Sequence, residues 1–351
     1  MNSTIYIRTL KRAEHTVFCV SSGQKYYYDQ QFKKRIPFSS GQQVKRSIVD
    51  SISAYLNLTP SPTTFLFDVT KQKELKEGEV YGTCDPTYPD QLFGGWMKAA
   101  KGGKDRTLKR RSPLSISAMR GLHPLLSGIE NDNASFDRSD RPNNIVIVRD
   151  ANNNELSEEE IVQFLEGKDR SLSRKWIPDQ SRATGLFVSD IAIDLRRLFC
   201  VSLNSFEPEM ADDTIEKLKE EGWKESKNVF GPCLVAPSKL REEWAKALAS
   251  ALVNWKITSN QSRTFSLMDS LAISISDNAN LIAGSIRAKL SEEDSGKAQP
   301  IIEENMKGVD TFVALQASGY IPTTTESIDA MEKAEQEIYN RIMAFDHENQ
   351  I

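Results

Sequence analysis

Hydrophobic and polar positions near the start of the chain alternate with a period of two. Residues 5–22 start as an alternating segment that is rich in β-branched side chains, which predicts a first strand. Residues 25–40 continue as a second extended segment with a basic tip at 33–35. The chain is therefore expected to begin with two extended segments.

Residues 39–56 change to a period near four, which predicts an amphipathic helix. Ser39 or Ser40 can cap this helix, and Gly41 lets the backbone turn into it. The predicted buried stripe consists of Val44, Ile48, Ile52 and Leu56, with Tyr55 beside it. Gln42, Gln43, Lys45 and Arg46 then lie off the stripe, near the positive end of the helix.

Further strands and helices follow without a strict βα alternation. Strand-like patterns occupy 63–70, 112–128, 185–203 and 262–276, and 145–150 is typical of a short buried strand. Helical patterns occupy 157–167, 209–221, 238–255 and the acidic tail from 325. Residues 71–90 are expected to form a loop or small subdomain, and 101–111 an unburied basic loop. This order favours an α+β fold with a split βαβ, ferredoxin-like start.

Composition places the chain among soluble globular proteins. Its 351 residues are 39% hydrophobic and 27% charged, enough for one large domain or two smaller ones. No run reaches the roughly 20 apolar residues that span a bilayer, and the first residues lack the order of a signal peptide. We therefore expect a cytoplasmic protein with no membrane partner. Four scattered cysteines give no zinc or disulfide pattern, and Cys19, Cys200 and Cys233 are predicted core residues.

The net charge of −4 hides a strong asymmetry. Residues 1–120 contain 20 Lys/Arg and 10 Asp/Glu, a balance of +10, whereas the remainder contains 25 and 39, a balance of −14. This distribution predicts a basic surface on one part of the fold and an acidic surface elsewhere. A polyanion such as nucleic acid is a suitable partner for the basic part.

Four basic elements recur at predicted loops or helix starts. They are Lys33–Arg35, Lys45 with Arg46, the stretch 104–111, and the group Arg170, Arg174 and Lys175. Aromatic residues lie among them at Tyr26–Tyr28, Phe32 and Trp176. This mixture suits a single strand that is held by its phosphates with some bases stacked. Each element alone is equally typical of an ordinary solvated surface.

Catalytic chemistry has little support in the sequence. The three histidines are far apart, and no metal-ligand, nucleophile or phosphate-loop motif is present. His123 is interpreted as structural, while His15 could act as a general acid or base beside Lys11 and Arg12. Asp68 is the one acid that we name for RNA cleavage. The chain is expected to be a non-enzyme without cofactor or metal.

Several segments, in order, resemble one known family. They are SSGQQVKRSI, QLFGGWMKA, PLSISAMRGLHP, GLFVSDIAIDLRRL, and WAKALASALVNW followed by QSRTFSLMDSLAISIS, which together extend over residues 39–276. Each is similar to a segment of the repeated CRISPR RNA (crRNA)-binding backbone subunit of CRISPR Cascade effectors (the "Cas-seven" family), within the RAMP superfamily. The long strand here carries Val188, Ser189 and Asp190 where the family usually has tyrosine and a basic residue.

The resemblance implies an RRM-like (ferredoxin-like) core with inserted finger and thumb subdomains. The palm would be built from 1–70, 112–150 and 185–290, with a basic finger-like insertion at 71–111. A thumb-like insertion would occupy 165–184, and 325–351 would form the acidic C-terminal helix. Family members bind the guide RNA in several copies, so the resemblance implies a helical filament in antiviral defence.

The implied partners are crRNA, copies of the chain arranged head to tail, the subunit that binds the crRNA 5′ end, the large subunit, and target DNA in a type I-like complex. The RNA-binding residues expected from the basic elements and the resemblance are Gln42, Gln43, Lys45, Arg46, Lys33, Lys34, Arg35, Arg106, Lys109, Arg110, Arg111, Arg174, Lys175, Trp176 and Arg263. Such a subunit grips phosphates and leaves base edges free to pair with the target.

The sequence is also compatible with two alternative functions. One is a RAMP subunit of an RNA-targeting complex that cuts its target RNA with an acid such as Asp68. The other is an RRM-like RNA-binding protein outside CRISPR.

Overall fold

The computed structural model describes residues 3–19, 23–76, 78–99, 106–135, 145, 147–168, 176–258 and 265–351, with the backbone alone at 132–135 and 176–180. The chain divides into two compact units. The first consists of Met1–Glu130 together with Ala183–Ile351, and the second of Asn131–Arg182. Within the described ranges, no helix is both long and apolar enough to cross a membrane.

The strands and helices follow one another without a regular repeat. The strands are β1 (Thr4–Thr16), β2 (Tyr26–Asp29), β3 (Lys34–Ser39), β4 (Thr64–Leu66), β5 (Glu79–Tyr81), β6 (Trp96–Lys98), β7 (Leu108–Arg110), β8 (Leu114–Ile116), β9 (Met119–Gly121), β10 (Ser127–Ser135), β11 (Trp176–Asp194), β12 (Cys200–Ser202), β13 (Lys224–Asn228), β14 (Gly231–Val235), β15 (Asp269–Ser276), β16 (Ile286–Leu290), β17 (Ala298–Ile302) and β18 (Asp310–Val313). The helices are α1 (Gly41–Leu56), α2 (Pro89–Gly94), α3 (Glu158–Phe164), α4 (Leu195–Leu198), α5 (Asp212–Glu220), α6 (Ser238–Asn254), α7 (Ala279–Ser285) and α8 (Ala330–Met343), and Leu315–Gly319 forms a 3-10 turn.

A nine-stranded sheet organises the fold. Its main path runs β18-β15-β1-β11-β9-β3-β2, and β8 and β10 also pair with β11. β1 pairs antiparallel with both β11 and β15, with Ile7 opposite Ile191 on one side and Ile275 on the other. The mixture of helices and a large antiparallel sheet confirms the predicted α+β class. The RRM-like core and the finger and thumb subdomains stay predictions.

Helices α1, α6 and α8 contribute to the large core on one face of this sheet. Their apolar stripes pack with alternate residues of the central strands, such as Ile7 of β1 and Ile191 of β11. In α1 the stripe is Val44, Ile48 and Ile52, each fully buried, and the corresponding residues of α6 include Trp244, Leu248 and Leu252. Leu56 is half-buried, but Tyr55 is 57% exposed, so its predicted place beside the buried stripe is wrong.

The opposite sheet face has a smaller core. Leu10 of β1, Leu186 of β11 and Ala272 of β15 pack there with Ile286 and Ile302, which belong to the paired strands β16 and β17. Leu10 alternates along β1 with Ile7 of the large core and with Lys11, whose Nζ donates to the Val253 carbonyl of α6 at 3.4 Å. The period-two pattern of β1 therefore supplies both cores.

Residues 63–70 were expected to form a palm strand, but they do not join the large sheet. Among the described residues, Thr64–Leu66 pairs with Glu79–Tyr81 as a two-stranded sheet, and an isolated bridge between Val69 and Leu75 extends it. Phe65 and Phe67 remain 60% and 54% exposed. The apolar pattern correctly predicted extended backbone, but it gave no information about the pairing partner.

The second unit corrects the expectation for 145–150. Ile145 and Ile147 are 86% and 55% exposed, so this is not a buried strand. The chain turns immediately, because Asp150 Oδ1 accepts hydrogen bonds from the amides of Asn152 and Asn154. The helix α3 in the same unit has the predicted capping box, formed by Ser157 and Glu160.

The unit boundaries differ from the expected domain limits. The second unit starts at Asn131, within the stretch 112–150 that was assigned to the palm. It ends at Arg182, close to the end of the expected thumb-like insertion at 184. The assignment of palm, finger and thumb is a prediction that these units do not test.

Candidate nucleic-acid interface

The first turn of α1 is fixed by its cap and by a close backbone approach. The Ser40 side chain accepts a hydrogen bond from the Gln43 amide at 3.3 Å. A Cβ atom on Gly41 would lie 2.5 Å from the Ile116 carbonyl oxygen, so a larger residue would not fit without movement. The cap and the glycine together hold the start of α1 against the turn between β8 and β9.

A groove of about 570 Å³ lies between α1 and the end of α6. We call it the α1–α6 groove, and its lining residues are Gln43, Arg46, Ser47, Asp50, Ser51, Ala54, Asn254, Lys256 and Thr258. Beyond α6, buried Trp255 and Ile257 alternate with exposed Lys256 and Thr258. Burial of the first pair therefore turns the second pair toward solvent in the groove.

The groove contains two cations and one acid. Arg46 Nε lies 2.9 Å and 3.0 Å from the two carboxylate oxygens of Asp50, one helical turn away. Both side chains are more than half exposed, so this ion pair is weak and a phosphate can compete for the guanidinium. Lys256 adds an exposed ammonium group from the segment after α6. The arrangement can hold a nucleic-acid phosphate.

Lys45 is adjacent in sequence to Arg46 but does not line the groove. Its side chain is partly buried, and this burial lowers the pKa of Lys45 to about 8, with a further contribution from the charge of Arg110. The structure therefore separates the Lys-Arg pair, because consecutive helical residues point about 100° apart. Gln42 is exposed and also lies outside the groove lining.

The β2–β3 hairpin presents a second basic surface. Lys33, Lys34 and Arg35 are exposed at its tip, and Tyr26, Tyr27 and Tyr28 are each 41–50% exposed on the edge strand. The Arg35 guanidinium carbon lies 5.0 Å from the centre of the Tyr26 ring. Exposed aromatic faces beside cations are suited to stacking with bases.

Arg110 was expected to contact RNA, and its position contradicts that role. It is 4% exposed, and its guanidinium donates to the backbone carbonyls of Leu92, Arg197 (2.8 Å) and Cys200 (3.2 Å). Glu209 Oε2 lies 3.7 Å from Nε. Arg110 therefore links α2, β7, α4 and β12 inside the first unit. The basic stretch around it contains strand β7, so the expectation of an unburied loop is also wrong there.

The other cations that the structure describes in this stretch, from 106 onward, remain at the surface. Arg106, Lys109 and Arg111 are exposed, and Arg106 donates to the Ser205 carbonyl. Arg106 also lines a separate cavity of about 990 Å³ with Lys98 and Leu108, which shares no lining residue with the α1–α6 groove. Arg174, Lys175 and Arg263 lie outside the described residues, and Trp176 is described only by its backbone at the start of β11.

Two features of the candidate interface were not predicted from the sequence: Lys256 in the groove, and an arginine cluster around Asp190. Lys256 is a single lysine after a long helix, and no local pattern distinguishes it. The second feature is a cluster of two arginines on one carboxylate. The Nη atoms of Arg120 lie 3.2 Å from Asp190 Oδ2, and Arg8 Nε lies 2.8 Å from Asp190 Oδ1. Asp190 thus partly neutralises two arginines on the sheet. The unusual acid in the long strand was the available signal for this cluster.

The candidate catalytic residues are not assembled into a site. Asp68 is exposed on the β4–β5 hairpin, where its carbonyl accepts from the Lys76 amide. His15 is exposed, with Nδ1 3.6 Å from Glu130 Oε2, and His123 stacks edge-on against Phe32 at 4.8 Å. In the part of the chain that the structure describes, no three His, Cys, Asp or Glu residues are grouped to hold a metal ion.

Comparison with known proteins gives matches only among solved structures. No protein-family model and no curated protein matches the chain. A chain of a "CRISPR RNA-guided surveillance complex" is 11% identical with a TM-score of 0.38, over 97% of this chain and 84% of the other. A chain of a "CRISPR RNA-guided surveillance complex, pre-nicking" is 9% identical with a TM-score of 0.44, over 97% and 88%. Both scores are below 0.5, so neither similarity assigns a function.

Proposed function

We propose that this chain is the crRNA-binding backbone subunit of a CRISPR effector complex of the type I-like, DNA-targeting class. In this role it binds the guide RNA by its phosphates without cutting it. It polymerises head to tail along the guide and presents the spacer for pairing with target DNA.

The observation that carries this proposal is the α1–α6 groove. It combines Gln43 and Arg46 from the helix start that resembles the family motif with Lys256, more than 200 residues later in the chain. A guide-binding subunit must grip the sugar-phosphate backbone and leave base edges free. A groove lined by the exposed cations Arg46 and Lys256 suits that requirement.

The remaining parts of the proposal rest on charge and symmetry. A head-to-tail filament needs two different complementary surfaces on each copy. Residues 1–120 with a balance of +10 and the rest of the chain with −14 can supply unlike surfaces. The crRNA 5′-end-binding subunit, the large subunit and target DNA are the further partners in this proposal.

Co-purification of RNA tests the proposal directly. The full chain is expressed together with a CRISPR array and then separated by size-exclusion chromatography. We expect a multimer that contains array-derived RNA of uniform length. RNA-free monomer under these conditions would contradict the proposal. RNA of mixed length that is unchanged when the array is deleted would instead favour an RNA-binding protein outside CRISPR.

A further inference from the structure

The α1–α6 groove contains an acid where a surface for phosphates alone should be basic. Asp50 is exposed, lines the groove and accepts the hydrogen bond from Arg46 Nε. A carboxylate repels phosphate oxygens, so its presence weakens a site that binds only phosphates. The contact through Nε leaves the Nη groups of Arg46 to bind a phosphate oxygen. The exposed carboxylate of Asp50 is suited instead to a part of a ligand that donates a hydrogen bond.

The neighbouring hydroxyl groups add acceptors beside this carboxylate. Ser47 Oγ donates its proton to the Gln43 carbonyl at 3.1 Å, and Ser51 Oγ donates to the Ser47 carbonyl at 2.8 Å. Each hydroxyl has a single proton, so both oxygens offer only acceptor capacity to a ligand in the groove. One face of α1 thus lines the groove with three acceptors, exposed Asp50, half-buried Ser51 and largely buried Ser47, next to the two cations Arg46 and Lys256.

A ribose-phosphate backbone matches this pattern, and a deoxyribose-phosphate backbone does not. Phosphate oxygens only accept, and they fit the cations. The 2′-hydroxyl is the donor of the RNA backbone, and DNA lacks it. A carboxylate is the strongest available acceptor for that hydroxyl. The Asp50 side chain favours a ligand that supplies such donors and disfavours one that supplies phosphates alone.

We propose that Asp50, with Ser47 and Ser51, receives a 2′-hydroxyl and makes the α1–α6 groove select RNA over DNA. This inference rests on the proposed function, in which the groove holds the guide. It adds a specificity residue that could exclude the chemically similar DNA strands in the same complex. Arg46 and Lys256 bind the phosphates of both RNA and DNA, and Asp50 accounts for the higher affinity of the groove for RNA.

The test compares the full chain with Asp50→Ala on three single strands of one sequence: RNA, DNA, and RNA with 2′-fluoro substitution, which removes the donor. We expect the unsubstituted protein to bind RNA about fivefold or more tighter than the other two strands, as one charged hydrogen bond allows. In Asp50→Ala this ratio should fall toward one, because DNA binding strengthens and RNA binding does not. Melting temperature should stay unchanged, since Asp50 is exposed.

Glu242→Ala is the matched control. Glu242 is also an exposed acid that pairs with a base one helical turn away, Lys246, at 2.8 Å. It lies on α6 outside the groove lining, so its removal should change binding of all three strands by one common factor. If Asp50→Ala behaves in the same way, or if the unsubstituted protein binds RNA and DNA equally, the inference is wrong. Those results leave the proposed function standing.

A different result would remove the site itself. If Arg46→Ala and Lys256→Ala leave RNA binding unchanged, the groove does not hold RNA, and both the assigned site and the selectivity inference fail. Two results together support both the assigned site and the selectivity inference. Arg46→Ala and Lys256→Ala lose RNA affinity, and the ratio of RNA affinity to DNA affinity changes only in Asp50→Ala.

Discussion

The start of α1 and the strand β7 both appear in the sequence as basic segments, yet their arginines have opposite environments. The Arg46 side chain is 64% exposed, whereas that of Arg110 is 2% exposed. Arg46 has a solvent-exposed partner that a phosphate can replace. Arg110 is bound by three backbone carbonyls and stands near Glu209. A cluster of cations in a sequence therefore does not by itself define a nucleic-acid surface.

The physical reason for the difference is desolvation. A buried guanidinium is tolerated only where hydrogen bonds and an opposite charge replace its water. The neighbouring segments around β7 provide those groups, and Trp96 packs beside the same guanidinium, with its ring centre 5.4 Å from Cζ. Arg46 in the first turns of α1 has no such cover, so its guanidinium keeps its water or binds a ligand.

The largest effect is expected for Arg110→Ala. This substitution leaves Glu209 without its cation and three carbonyls without their donor, so the free energy of unfolding should fall by about 3–5 kcal/mol. Urea unfolding measures this value. The neighbouring exposed Arg111→Ala should stay within about 0.5 kcal/mol of the unsubstituted protein. Equal stability of the two variants would show that Arg110 is not a structural cation.

A smaller effect, on binding alone, is expected for Arg46→Ala combined with Lys256→Ala. Loss of two phosphate contacts should weaken binding to single-stranded RNA about tenfold or more and lower the salt slope by about 1.4, or about 0.7 for each contact. Filter binding at several salt concentrations measures both. The double variant Lys246→Ala with Lys289→Ala removes the same charge at exposed sites outside the groove, and it should keep the slope.

The smallest effect, on the pH dependence of stability, is expected for Lys45, whose burial is intermediate between that of Arg46 and that of Arg110. Its pKa is about 8 in the folded protein, below its usual 10.5, so the unfolded chain binds more protons between these values. The free energy of unfolding should therefore rise as pH increases from about 8 to 10.5, by less than about 1 kcal/mol after solvent screening. Lys45→Gln should remove this contribution, while the rise of the same sign from Lys11, whose pKa is lowered by burial to about 7, should remain. A pH profile that is unchanged in Lys45→Gln would contradict the assignment.

Local sequence patterns predicted the elements that depend on neighbouring residues. The stripe Val44, Ile48 and Ile52, a serine cap at 39 or 40 (Ser40 in the structure) and the Ser157–Glu160 capping box all depend on residues within one to three helical turns. Their physics is local, so periodicity and cap chemistry were sufficient. Residues 145–150 show the limit, because an apolar run does not specify whether another layer covers it.

The sequence by itself determined the α+β class, the position of α1 and the concentration of positive charge in the first part of the chain. Only the tertiary structure decided which cations are available to a ligand. It buried Arg110, set Lys45 apart from Arg46, and brought Lys256 and Asp50 into one groove. These outcomes depend on contacts between residues that are distant in the chain, and such contacts remove water from the charged groups. A local sequence pattern contains no information about either effect.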